Sequence, residues 1–200
     1  FKVHSYIFGQ NYDLMHLDTF THHERRSVSA AEITYNADGT IQEVPYWLDQ
    51  EPIKQLYWLN PYERVEAETM AWGYGLKSAK MGIPNTGVVA DMPTSTGKKN
   101  MYIYDINDGE LIKLRGVDFG EKGATRFSIT AASTGACTVT LRLDSQDGPV
   151  IGTALVSKTG SAEKYRTFST KVSNASGVHD LYLCFSNTSG DTHLDWWQFK

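Results

Sequence analysis

Cys137-Thr138-Val139-Thr140-Leu141-Arg142-Leu143 alternates apolar and polar side chains without a break. Val139, Leu141 and Leu143 project to one face and Thr138, Thr140 and Arg142 to the other. That period of two marks a half-buried antiparallel strand. The run stops at the turn Ser145-Gln146-Asp147-Gly148, and the same unit recurs on both sides of it. Upstream lie MYIYDI, ending at Asn107-Asp108-Gly109, then ELIKLRGVDF, ending at Gly120, then ATRFSITAA. Downstream come GTALVSK, KYRTFSTKV, HDLYLCFSN and HLDWWQF, parted by Thr159-Gly160, Asn174-Ala175-Ser176-Gly177 and Ser189-Gly190-Asp191. No helical period intervenes. Short strands at such regular spacing predict an all-β chain folded as a jelly-roll sandwich over residues 61–200.

The first 60 residues read differently. FKVHSYIFGQ is strand-like, a His-rich polar loop follows, and RRSVSAAEITYN is a second strand. Ala37-Asp38-Gly39-Thr40 then turns into a third, IQEVPYW. A sheet this small cannot bury enough apolar area to fold alone, so residues 1–47 must pack on something else. Residues 48–60 hold no Gly/Ser tract and read as a connector lying on a surface rather than a floppy linker.

Composition narrows the partners. The net charge is −4, from 23 acids against 19 bases with no basic block, which argues against nucleic acid and anionic membrane. No apolar run approaches the roughly 20 residues of a spanning helix. The chain starts at Phe1 with no apolar leader, so the N-terminus is expected to be processed or trimmed. The 5 Trp, 11 Tyr and 8 Phe suit a sugar binder, because rings stack on apolar sugar faces, but they equally suit core packing in a large sandwich. Cys137 and Cys184 sit inside strand-like runs and read as thiols acting as small hydrophobes, a disulfide being the lesser alternative.

Two carboxylates stand out at the start of the sandwich. In Arg64-Val65-Glu66-Ala67-Glu68, Glu66 and Glu68 are two apart and share a face. First and last strands of such sandwiches commonly lie side by side, which would bring Asp195 to them. From these residues alone, a cation site and a solvated Glu-x-Glu at a strand edge stay equally open.

The opening Glu-Ala-Glu and the close Leu194-Asp195-Trp196-Trp197-Gln198-Phe199 resemble those of family 6 carbohydrate-binding modules. Asn107-Asp108-Gly109-Glu110, Val117-Asp118-Phe119-Gly120, Leu141-Arg142-Leu143-Asp144 and Gly177-Val178-His179-Asp180-Leu181-Tyr182-Leu183 extend the resemblance in order. It implies a structural Ca²⁺ held by Glu66, Glu68 and Asp195, with backbone carbonyls completing the 6–8 oxygens that calcium takes. Sugar-binding members clamp a sugar between two rings beside an asparagine. Here the tyrosine position falls on Asp105, next to Tyr104; the tryptophan position falls on Ala162 and the asparagine position on His193. The resemblance therefore implies an altered cleft. Tyr104, Trp72 and Tyr74 are candidates for rebuilding it, with His193 beside them. The preferred reading has Trp72 and Tyr74 pack the module on a neighbouring domain. Trp196 and Trp197 alternate faces, so one is core and the other interface or exposed.

Arg25-Arg26-Ser27-Val28, Tyr35-Asn36, Asp38-Gly39-Thr40-Ile41 and Val44 resemble the closing strands of the five-bladed β-propeller of glycoside hydrolase family 43. That resemblance implies a secreted, extracellular or periplasmic arabinofuranosidase or xylosidase acting on arabinoxylan. Residues 1–47 would be the C-terminal strands of its propeller. The family's three catalytic carboxylates lie on earlier blades, so the chain is expected to hold none and to be inactive alone. Arg25 or Arg26 reaching the sugar subsite, and His4 near the propeller axis, are the candidate substrate contacts; His22 and His23 are alternatives to His4. A stand-alone xylan- or glucan-binding module and a structural buttress without sugar affinity are the competing functions.

Overall fold

The computed structural model describes residues 4–11, 27–45, 53, 55–80 and 101–200. The chain divides into two units, 1–56 and 57–200, and the division falls inside the segment 48–60 read as a connector.

Unit one, as described, is a single hairpin. Strand β1 (Ser5–Asn11) pairs antiparallel with β2 (Ser27–Ile33). The third strand expected over IQEVPYW does not form over 41–45, where Ile41 makes only an isolated bridge to Tyr35. The turn between them is tight: Gly39 N–H donates to the Asn36 carbonyl at 3.0 Å and Gln42 N–H to that of Thr34 at 2.9 Å. Pro45 then lacks the N–H that a longer ladder needs. Among the described residues of this unit Ile7, Phe8, Tyr35 and Ile41 remain exposed and Ala31 is buried, too little apolar burial for a core.

Unit two is the sandwich. Its strands are β3 (Val65–Glu66), β4 (Trp72–Tyr74), β5 (Lys77–Lys80), β6 (Met101–Tyr104), β7 (Leu111–Asp118), β8 (Ala124–Ser133) and β9 (Ala136–Leu143). They continue with β10 (Val150–Val156), β11 (Arg166–Ala175), β12 (Val178–Ser189) and β13 (Thr192–Phe199). One sheet runs β10-β9-β12-β7-β4 and the other β11-β8-β13-β6-β5, with β3 paired to β13. All neighbours are antiparallel.

The alternation seen in 137–143 is realised. Cys137, Val139, Leu141 and Leu143 are buried, while Thr138, Thr140 and Arg142 are half-exposed. Opposite them, Phe127, Phe199 and Trp197 fill the centre, with Phe127 and Phe199 centroids 4.9 Å apart. Trp197 is wholly buried, so Trp197 is the core member of the tryptophan pair and Trp196 the outer one. The sandwich begins slightly earlier than Pro61. Leu59 bridges Val117 in parallel, donating to the Gly116 carbonyl at 2.8 Å and accepting from Asp118 N–H at 2.9 Å. Both cysteines are free thiols, Cys137 buried and Cys184 partly so.

Candidate functional site

The carboxylate corner is built by the pairing of first and last strands. Glu66 lies opposite Trp196 in the β3–β13 ladder, and Ala67 N–H donates to the Asp195 carbonyl at 2.8 Å. This carries Asp195 to the Glu66-Ala67-Glu68 strand, as the sequence led one to expect. Arg64, two residues before Glu66, completes the corner. Its Nε lies 2.8 Å from Glu66 Oε1, and its Nη2 reaches Glu66 Oε2 at 2.8 Å and Asp195 Oδ1 at 3.3 Å. The same guanidinium sits over the Trp196 ring, 5.3 Å from its centroid. Sequence reasoning quoted Arg64 but gave it no role. The signal was there, because residues 64, 66 and 68 share one side of an extended strand.

Glu68 differs from its two partners. Its Oε2 is buried and makes no hydrogen bond. Burial, together with the neighbouring Glu66 and Asp195 charges, holds its carboxyl above the ordinary glutamate range. Among the described residues, no group of three or more His, Cys, Asp or Glu side chains is arranged so as to hold a metal ion. Arg64 is the cation that contacts Glu66 and Asp195 there.

The four candidate sugar residues separate onto two sheets. Tyr104 and His193 lie on the six-stranded sheet and Trp72 and Tyr74 on the five-stranded one. On the first sheet, His193 stacks on Tyr102 with centroids 4.4 Å apart and meets Tyr104 edge-on at 6.1 Å. Its Nε2 lies 3.0 Å from Asp191 Oδ2. Tyr165 adjoins this cluster, and its phenol is pushed well up by burial first, with Asp195, Tyr102, Asp191 and Glu163 adding to the shift. Asp105, at the expected tyrosine position, adopts φ 58° and pairs with Lys77 at 2.6 Å.

On the second sheet Trp72 and Tyr74 are 57% and 59% exposed, with ring centroids 6.3 Å apart. Gly75 closes their strand at φ 79°, where a side chain would collide with Glu110. Trp72 pairs with Lys113, Lys113 with Tyr182, and Tyr182 with Arg142, a row across β4, β7, β12 and β9. Lys113, Tyr182 and Arg142 were not singled out from sequence, since they belong to a site only through strand order.

In unit one, His4 contacts Glu32 through Nδ1 and stacks on Tyr6 at 6.4 Å. Arg25, Arg26, His22 and His23 lie outside the described residues.

Comparison with known proteins places these features. The sequence profile of the carbohydrate-binding module family 6 matches residues 66–200. An arabinoxylan arabinofuranohydrolase of Bacillus subtilis is 37% identical over 176 residues, covering 87% of this chain and 32% of the relative. The crystal structure of a family 43 arabinoxylan arabinofuranohydrolase from Bacillus subtilis in complex with cellotetraose superposes with a TM-score of 0.83 at 34% identity. It covers 98% of this chain and 38% of that one. A family 6 module from Clostridium cellulolyticum in complex with xylose gives a TM-score of 0.58 at 30% identity, covering 71% of this chain and 99% of that one. The chain thus spans about a third of the curated relative's length. From its Glu-Ala-Glu opening to its Asp-Trp-Trp close, this chain belongs to carbohydrate-binding module family 6.

Proposed function

We propose that this chain is the polysaccharide-holding part of a secreted glycoside hydrolase that acts on arabinoxylan, and that it grips the polysaccharide on the outer face of the five-stranded sheet. The observation that carries this reading is the exposed Trp72 and Tyr74, with Trp72 in register with Lys113, Tyr182 and Arg142. Aromatic faces supply apolar stacking and a few placed polar groups fix orientation, the usual composition of a ligand site. The arabinoxylan hydrolases among the relatives support the substrate.

By this reading the cleft around His193 is silent, because its rings stack on one another and His193 is held by Asp191. The catalytic carboxylates of an arabinofuranosidase- or xylosidase-type reaction lie outside this chain, so the chain is inactive alone. The hairpin of residues 5–33 completes an upstream propeller, which would explain why Ile7 and Phe8 are exposed in isolation. Arg25 or Arg26 and His4 remain its candidate substrate contacts.

The carboxylate corner suits a structural Ca²⁺ held by Glu66, Glu68 and Asp195. The buried, unmatched Glu68 oxygen supports this, as does the all-oxygen donor set. Bound there, the ion would neutralise three converging carboxylates and tie the first strand to the last. Arg64 does part of that in its place, holding Glu66 and Asp195.

Affinity electrophoresis of the chain through gels containing soluble arabinoxylan tests the function. Retardation that disappears in the Trp72→Ala, Tyr74→Ala double variant is expected. Unretarded migration of the wild type would leave a structural buttress. A stand-alone module is the reading to prefer if no hydrolase domain is encoded upstream.

A further inference from the structure

We infer that the five-stranded face selects a β-linked pyranose chain whose adjacent ring hydroxyls are both free, and that the Lys113–Asp180 ion pair makes the selection. This rests on the reading of that face as the sugar site. Neighbouring strands lie ~4.8 Å apart, so the row from Trp72 to Arg142 runs roughly 14 Å, enough for a short oligosaccharide. Within it, Lys113 Nζ lies 3.0 Å from Asp180 Oδ2 and 5.3 Å from the centroid of the Tyr182 ring. The other Asp180 oxygen accepts the Gly116 N–H at 3.0 Å. Both charged groups are thereby fixed, yet each side chain remains partly exposed.

The pair has a definite chemical preference. An ammonium only donates hydrogen bonds and a carboxylate only accepts them. Two adjacent hydroxyls of one sugar ring match it, one accepting from Lys113 and its neighbour donating to Asp180, while ring faces rest on Trp72 and Tyr182. A substituent on either hydroxyl removes a bond and covers a charged group that then has no replacement for water. Polar sites reject ligands that leave them unmatched more strongly than apolar sites reject a misfit.

In arabinoxylan the arabinosyl branches occupy those backbone hydroxyls. The face would therefore hold stretches already cleared of branches, the product of the proposed hydrolysis rather than its substrate. Such a module anchors the enzyme where it has worked and leaves neighbouring branched residues to the catalytic domain.

Isothermal titration of the whole chain with xylohexaose, and with the same backbone carrying arabinosyl on each internal residue, tests the inference. Xylohexaose is expected to bind at least ~10-fold more tightly, the equivalent of one well-placed hydrogen bond. Asp180→Asn, which keeps an acceptor for Gly116 N–H, is expected to weaken xylohexaose about 10-fold and leave the branched ligand unchanged. Lys113→Gln repeats the test from the other partner should the first variant fold poorly. Equal affinity for the two ligands overturns the inference, as does full xylohexaose affinity in Asp180→Asn. The underlying site fails separately, if Trp72→Ala leaves xylohexaose binding intact.

Discussion

The two outer faces of the sandwich both carry aromatic side chains but use them differently. On the six-stranded sheet, Tyr102, Tyr104 and His193 face one another, with His193 held by Asp191. On the five-stranded sheet, Trp72 and Tyr74 stand exposed beside a row of charged and phenolic groups. A ring already packed on its neighbour contributes to stability. A ring held out in water by its strand is available to a ligand. An aromatic count therefore says little about binding until the partner of each ring is known.

The harshest way to break the comparison is to remove what both faces share. Trp197→Ala opens a cavity in the common core and is expected to cost ~3–5 kcal/mol in urea unfolding, abolishing order on both faces together. A loss of only one face would show that the sheets fold independently.

The sharper test separates them. Trp72→Ala is expected to abolish retardation by arabinoxylan while changing stability by no more than about 0.5 kcal/mol, the usual range for an exposed position. Tyr102→Ala should do the reverse, losing roughly 0.5–1.5 kcal/mol of ring packing with retardation unaltered. Exchange of those two phenotypes would reverse the assignment of the faces.

A third experiment probes the corner where the six-stranded sheet meets the start of the module. Because Glu68 is held above the ordinary glutamate value of 4.5, the folded chain keeps that proton more tightly than the unfolded one. Stability is therefore lost as pH rises from about 4.5 through the folded value. In chelator, Glu68→Gln should melt above the wild type at pH 7, and the gap should close below pH ~4 as both side chains become neutral. Added calcium should raise the wild-type melting temperature and leave the variant unmoved. A wild type indifferent to calcium would remove the ion from the corner.

The smallest effect concerns the two thiols. Burial pushes Cys137 up to about 12, and it should label only on unfolding. Cys184 is half-buried and pairs with Thr140 and Leu111, on the floor of the five-stranded face. It should label slowly in the native chain and more slowly still with xylohexaose bound. Labelling unaffected by the sugar would place the ligand elsewhere.

Much of the sandwich was legible from residue order. The period of two in 137–143 fixed which side chains enter the core, because successive residues of a strand must point to opposite faces. The pairing of the first and last strands was legible because the ends of the module carry recognisable strands. The third strand expected over 41–47 does not form over the described residues 41–45, where Pro45 supplies no backbone donor for a ladder.

What alternation cannot convey is which strands become neighbours. Trp72, Tyr74 and Tyr104 are candidates for one wall by their chemistry, yet their strands belong to different sheets. Lys113, Tyr182 and Arg142 lie far apart along the chain and became one row only through the order β4-β7-β12-β9. Arg64 acquired its role only when β3 met β13 and brought Asp195 within reach. Sequence by itself determined the strands from β6 to β13, the inward face of β9 and the family. Tertiary structure alone decided which side chains stand together in the candidate site, because a side chain's own strand sets its direction, whereas its partners are set by distant strands brought beside it by long-range hydrogen bonding.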